Sequence, residues 1–380
     1  MKLTCLQGNL SRGLNVVGRA VATRTTLPIT NNVLIETDES RLKLTATNLE
    51  MAISCWVGAK VETEGAITIP ARLLTEFVGS LPNDKIDISL SQTKTLELKC
   101  ARFEARISGV DAQDFPPIPK VAAGITTKVK IDALEKGISE VVFAAATEES
   151  RPVLTGVNAE FEGDQMTLAA ADGFRLAVHK VPLSVPVSQK ATVIIPSRTL
   201  AELNRLASDD DEVVDIMVDP AKSQAMFRLK NVELVSQLVQ GTFPNYSQLI
   251  PQSYNTRAVV DVAEFSRATK TASIFARDGS GIVRLMMTPG SGDLKPGKMT
   301  VSARSEEIGD DIGEIDAVVE GEDAKIAFNG KYLTDVLSVL REAQVTQVAL
   351  EITNPSSPGV IKPIGADNYT HVVMPMFVQW

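Results

Sequence analysis

An α+β fold of three similar domains, each with two helices packed on antiparallel sheet, follows from one phrase that the chain repeats and from the patterns around it. The phrase is a short β-like run, a proline and then a helical pattern, as in Thr192-Val-Ile-Ile-Pro196 followed by residues 197–206. An earlier copy spans Ala66 to Leu81 around Pro70, and a later one spans Ala324 to Leu340 with Asn329 in the proline's place. Pro196 lies 126 residues beyond Pro70, and Asn329 lies 133 beyond Pro196. A repeat of that length is a domain rather than a short solenoid unit.

Each element can be justified in chain order. Every copy opens on a strand and an amphipathic helix: Lys2 to Cys5 then Asn9 to Val21, Lys128 to Ile131 then Asp132 to Ala145, and Arg257 to Val260 then Val262 to Ala276. Asp132 and Asn9 suit N-caps, since their side chains can accept from the helix's first free N–H groups. Alternating strands joined by turns come next, as in Val33 to Glu36 and Arg41 to Thr47, or Val157 to Phe161 and Gln165 to Ala170. The second helix follows the proline, where a missing N–H costs nothing. In the middle copy Leu200, Leu203 and Leu206 form its packed face, and Arg198, Glu202 and Arg205 the opposite one. Proline-rich closing phrases, 114–119 and 241–251, set boundaries near 121 and 252. The domains are therefore 1–121, 122–252 and 253–380, each with two helices and about eight strands.

Composition narrows the function classes. The 380 residues carry a formal net charge of -9, so nucleic-acid binding must rest on locally placed cations. Cys5, Cys55 and Cys100 lack metal-ligand or disulfide spacing and read as free thiols. The N-terminus has no apolar h-region and no 18-residue apolar run occurs, which predicts a cytoplasmic chain without a membrane partner.

Motifs for chemistry fail on inspection. Gly292-Asp-Leu-Lys-Pro-Gly-Lys-Met299 resembles a phosphate loop, but Met299 offers no hydroxyl for magnesium and the next residues pattern as a strand. His179 and His371 stand far apart and read as ordinary strand residues. The run from Asp209 to Glu212 reads as a solvated loop. No catalytic residue, metal or cofactor is expected. The turn 170–177, Ala-Ala-Asp-Gly-Phe-Arg-Leu-Ala, could instead display Arg175 and Leu176 beside Arg151 and Leu154 as an apolar cleft with a basic rim; a plain hairpin turn is the other reading.

Six motifs in colinear order then carry a resemblance: 24–29 (RTTLPI), 45–50 (TATNLE), 151–157 (RPVLTGV), 171–177 (ADGFRLA), 241–246 (GTFPNY) and 372–376 (VVMPM). Together they resemble the bacterial DNA polymerase III β subunit family, the sliding clamps, over residues 1 to about 376. The resemblance implies the DNA clamp fold: a head-to-tail homodimeric ring with helices lining a hole for double-stranded DNA of any sequence. It also implies a cleft that takes short linear peptides from the polymerase III α subunit, the clamp loader, repair polymerases and mismatch-repair proteins. By matching motif the cleft comprises Arg151, Leu154, Gly173, Arg175, Leu176, Pro244, Leu249, Val372, Val373, Met374, Pro375 and Met376. Arg24, Arg72 and Arg198 match DNA-facing positions, and the basic helix faces add Arg205, Arg267, Lys270 and Lys331. Ile107 would meet Ile274 and Phe275 of a second copy.

The chain departs from the family pattern at Phe174, where histidine is common, in the loop Pro289 to Pro296, and in the tail Phe377 to Trp380, which could fold over the cleft. The function expected is a processivity clamp with no chemistry of its own. Two other classes stay open at this point: an enzyme using the acidic or Gly292 loop, and a peptide scaffold that never encircles DNA.

Overall fold

A computed structural model describes residues 1–23, 25–148, 150–208, 211–276, 281–290 and 297–380. Among these residues there are six α-helices: α1 (Gln7–Gly18), α2 (Ala71–Ser80), α3 (Ile131–Val142), α4 (Ser197–Leu206), α5 (Val262–Ala276) and α6 (Gly330–Glu342). They fall two to each repeat, as the sequence pattern requires. No helix among the described residues is long and apolar enough to cross a membrane.

Two compact units form. The first comprises 1–131, 184–191 and 198–238, and holds a five-stranded and an eight-stranded antiparallel sheet. Helix α1 packs on α2 and on strands Arg41–Thr47 and Met51–Val57. Leu10, Leu14 and Val17 of α1 are buried at helical spacing, and each contributes about 1.5–3 kcal/mol of apolar burial. Gly13 permits the close approach: a Cβ there would lie 2.7 Å from Val57 Cγ2.

The second unit comprises 132–183, 192–197 and 239–380 around a twelve-stranded sheet. Helix α5 packs on α6 and on strands Gly297–Ser305 and Gly309–Gly321. Pairing explains why the middle repeat contributes to both units. Its strand Val232–Gln237 pairs with Met51–Val57 in the first unit, and its strand Arg175–Pro182 pairs with Tyr369–Val373 in the second.

One contact recurs in all three repeats. The residue two before the helix-initiating Pro70, Pro196 or Asn329 meets the segment that leaves the repeat's last strand. Thr68 bridges Val110, Ile194 bridges Val239, and Ala327 accepts a hydrogen bond from Met376 N at 2.7 Å. Equal placement of so specific a bond marks the repeat as structural.

Helix starts differ from expectation at two places. Helix α1 begins at Gln7, not Asn9, because Gln7 N donates to Asp84 O and its side chain donates to Val78 O, both distant in sequence. Helix α3 begins at Ile131, whose N donates to Glu212 O, so Asp132 sits in the first turn rather than at the cap. There its carboxylate still faces the positive end of the helix dipole. Asn329 caps α6, accepting from Lys331 N at 2.9 Å where the other repeats use proline.

Candidate nucleic-acid interface and peptide cleft

The polar helix faces carry the predicted DNA-facing residues. Arg72 on α2, Arg198 and Arg205 on α4, Arg267 and Lys270 on α5, and Lys331 on α6 are all exposed. Arg24 lies outside the described residues. Several of these cations are tethered to acids: Arg72 Nε to Glu76 at 2.8 Å, Arg205 to Glu202 at 2.7 Å and Lys331 to Asp335 at 2.7 Å. Glu202 is not on an open face as its helical position suggests. It is buried because Arg19 of α1 also bonds it, at 3.3 Å, so the acid locks α4 to α1. The exposed Arg72–Glu76 pair holds its side chains' direction while adding at most about 1 kcal/mol.

Arg175 departs most from its predicted role. Of the two arginines expected at the rim, Arg151 is exposed, whereas Arg175 is buried and serves as a fastener. Its Nε donates to Asp172 Oδ2 at 3.0 Å and its Nη1 donates to Asp335 Oδ2 at 2.6 Å. Phe143 and Tyr332 cover the guanidinium, with ring centroids 5.4 and 4.6 Å from its carbon. A planar, weakly hydrated cation suits a slot between two rings. Asp172 also shapes the turn, because its Oδ1 accepts from Phe174 N at 2.9 Å and from Arg175 N at 3.0 Å. Gly173 takes φ +95° there, and a Cβ would meet Arg151 Nη1 at 3.0 Å.

Around that turn the structure gathers most of the predicted cleft. Leu176 and Val372 pack in one cluster, with Tyr246 and Ile250 against it. Arg175 pairs with Val373 across the strands, and Met374 N donates to Phe174 O at 2.8 Å. Leu154 is buried in the short 3-10 turn Pro152–Thr155, and Arg151 reaches Asp172 O at 3.5 Å. Pro244 is exposed on the segment that carries Tyr246, while Pro375 and Met376 are half-buried beyond Met374. The apolar surface left open comes from Phe174 (56% exposed), Leu249 (50%) and Met374 (40%), since Leu176, Val372 and Val373 face the core.

Phe143, Tyr332 and Asp335 complete the site, and no local sequence signal marks them for it. Phe174 stacks on Tyr332 with centroids 6.4 Å apart, so the unusual phenylalanine extends the rim instead of removing it. Burial raises the Tyr332 phenol, and nearby Asp172 adds to this.

His179 and His371 are buried beneath the same region. His179 Nδ1 lies 2.6 Å from Glu140 and its Nε2 lies 3.0 Å from Asn368 Nδ2. His371 stacks on Phe143 at 5.5 Å, and its Nε2 has no hydrogen-bond partner among the described residues. Burial, aided by Arg175, pushes its pKa down to about 3, so the ring is neutral. The three thiols are buried; burial raises each, with Cys5 reaching about 12 and Cys55 about 11, which makes them poor nucleophiles.

Other features settle into structural roles. Lys298 and Met299 belong to strand Gly297–Ser305, so no helix follows the phosphate-loop-like sequence, whose residues 291–296 lie outside the described ones. Of the acidic run, Asp209 and Asp210 lie outside the described residues, and Asp211 bonds Ser208 and Lys230 N. The tail does not cover the cleft. Met376 fastens it to strand Ala324–Asn329, and Trp380 lies over Lys325 at 5.7 Å in a cavity with Arg284, Met286 and Ile312. Ile274 is 56% exposed and Phe275 half-buried, but Ile107 is buried in its own sheet; Phe103 is the exposed apolar residue of that edge strand.

Comparison with known proteins adds an independent result. Models of the N-terminal, central and C-terminal domains of the DNA polymerase III beta subunit match residues 1–119, 128–245 and 247–377. The chain is 30% identical over 386 residues to the beta sliding clamp of Bacillus subtilis and 32% identical over 385 residues to that of Staphylococcus aureus, covering 99% of each chain. Crystal structures of the DNA polymerase sliding clamp of Bacillus subtilis and of the DNA polymerase III subunit beta of Pseudomonas aeruginosa superpose with TM-scores of 0.93 and 0.91 at 29% and 28% identity, over 100% of both chains.

Proposed function

Because the chain belongs to the DNA polymerase III beta subunit family, we propose that it is a DNA sliding clamp that closes as a head-to-tail homodimeric ring around duplex DNA. The family is non-catalytic, so the clamp's effect is processivity: it keeps the polymerase on its template. The observation that carries the reading is the threefold repetition of one helix pair on antiparallel sheet along the whole chain, here taken as domains 1–121, 122–252 and 253–380, with cations on the polar helix faces.

Charge supports a sliding mode. A chain of net charge -9 cannot grip DNA broadly, and Glu76, Glu202 and Asp335 restrain three of the helix cations. Phosphate contacts through Arg72, Arg198, Arg205, Arg267, Lys270 and Lys331, with Arg24, are weak, salt-labile and blind to sequence. Topology then supplies retention. Ring closure uses the open edge of Phe103–Ser108, with Phe103 exposed on it and Ile107 packed behind, against Ile274 and Phe275 of a second copy.

The cleft around Phe174, Leu176, Leu249 and Met374 takes short apolar peptides from the polymerase III α subunit, the clamp loader and repair proteins. Methionine suits a site with several ligands, because its side chain adapts. The setting is the cytoplasm.

The test is retention on nicked circular DNA. The clamp, opened and closed on the circle by a loader, stays bound at salt that strips linear-DNA binders and is released when the circle is linearised. Ile274→Asp with Phe103→Asp gives monomers in light scattering and abolishes retention. Retention by such a monomer, or loss without linearisation, overturns the ring.

A further inference from the structure

We propose that Asp335 positions the cleft arginine and ties its hold to the occupancy of Lys331, so that DNA phosphate on α6 tightens peptide binding in the cleft. This rests on the DNA-facing and cleft readings above. The carboxylate oxygen Oδ2 of Asp335 accepts from Arg175 Nη1 at 2.6 Å and from Lys331 Nζ at 2.7 Å. Two cations therefore share one oxygen. They differ in setting, since the Lys331 side chain is 71% exposed and that of Arg175 is 7% exposed.

From that oxygen an unbroken series of bonds leads to the cleft. Arg175 Nε bonds Asp172 Oδ2, Asp172 Oδ1 holds the N–H groups of Phe174 and Arg175, and Phe174 O holds Met374 N. Phe174 and Met374 are two of the exposed apolar residues that a peptide would meet.

The direction of the effect follows from the sharing. Lys331 repels Arg175 and takes part of the acceptor's capacity. A phosphate that draws Lys331 outward leaves the carboxylate to Arg175 alone, in a setting where charge-assisted bonds are strong. The turn is then held more firmly, and a peptide loses less freedom in ordering it. By linkage, peptide in the cleft must strengthen DNA binding by the same factor.

The test uses the full chain and a fluorescein-labelled peptide selected against it from a displayed random library. Peptide anisotropy is read with and without a saturating short DNA duplex at low salt, with duplex binding followed through its own label. Wild type gains about fivefold in peptide affinity when duplex is present. Lys331→Gln binds peptide without duplex as tightly as wild type does with it, and shows no further gain. Asp335→Asn weakens peptide about tenfold without duplex, the worth of one charge-assisted bond, and gains nothing when duplex is added. Should that variant fail to fold, Lys331→Gln, altered at an exposed site, decides alone. A wild-type affinity indifferent to bound duplex, or a Lys331→Gln that responds as wild type does, overturns the proposal. Peptide binding that survives Met374→Asp overturns the cleft reading itself, and failure of duplex to bind overturns the DNA-facing reading; the proposal falls with either.

Discussion

The turns at 48–51 and 172–175 share a backbone and differ in charge. In the first, Asn48 Oδ1 accepts from Glu50 N at 3.0 Å and Met51 N at 2.9 Å; in the second, Asp172 Oδ1 accepts from Phe174 N at 2.9 Å and Arg175 N at 3.0 Å. Each leads into a strand that pairs with the last strand of the following repeat, Met51 opposite Ser236 and Arg175 opposite Val373. Met51 and Arg175 are both buried. The two copies thus share one hydrogen-bonded frame, while one holds a neutral amide with a thioether and the other a carboxylate with a guanidinium. The charged copy needs a second acid, and it recruits Asp335 from α6. That requirement links the second turn to a helix that carries the exposed cation Lys331.

The comparison breaks most severely if Arg175 is given its counterpart's residue. Arg175→Met leaves Asp172 and Asp335 without their shared partner, their side chains 15% and 27% exposed. Removing one member of a buried pair costs about 3–5 kcal/mol, and the partial exposure of both acids sets the low end, about 3 kcal/mol. Urea unfolding at neutral pH reads this as a lowered midpoint. Adding Asp172→Asn, which completes the copy of the first turn, recovers part of the loss; a double variant less stable than the single one contradicts the account.

A second difference lies beneath the charged turn, where His371 is buried and held neutral. Its folded pKa, about 3, is below its ordinary value of 6.5, so the unfolded chain binds the proton more readily. The stability from keeping it neutral is complete above pH 6.5 and is lost as pH falls toward about 3. The slope approaches about 1.4 kcal/mol per pH unit in that window, so the step from pH 7 to pH 5 costs about 2 kcal/mol. His371→Phe keeps the stack on Phe143 and flattens this part of the profile. An unchanged slope would assign the acid sensitivity to other groups.

How much of this was legible in the sequence depended on where each partner lies. Helix α5 was readable at both ends, since Val262, Phe265, Thr269, Ala272 and Ala276 carry the buried face within one segment. The start of α1 was not, because Gln7 is fixed by Val78 O, 71 residues away. At the cleft, the Asp172 turn and the apolar residues around it were visible locally. The burial of Arg175 was invisible because Asp335 is 160 residues distant and is marked on α6 only as an ordinary i,i+4 partner of Lys331. The tail's course was equally hidden. Phe377 and Trp380 read as a lid for an apolar cleft, whereas the main-chain bond from Met376 to Ala327 directs them along another strand. Periodicity reports which face is buried, and not which distant charge awaits it.

The finest test exchanges the residues that carry positive φ. Leu49 takes φ 76° in the first turn and Gly173 takes φ 95° in the second. A β-carbon in this region costs about 1–2 kcal/mol, and glycine avoids it but has more chain entropy to lose, about 0.5–1 kcal/mol. Leu49→Gly therefore trades two nearly equal terms, and its unfolding free energy moves by less than about 1 kcal/mol. Gly173→Ala meets the strain, offset in part by the same entropy, and also the Arg151 guanidinium at 3.0 Å, whose flexible end must give, so it loses about 1 kcal/mol. The two outcomes separate the terms. A stabilised Gly173→Ala would show that the second turn had no strain for glycine to avoid, and the frame shared by the two turns would then be looser than their hydrogen bonds indicate.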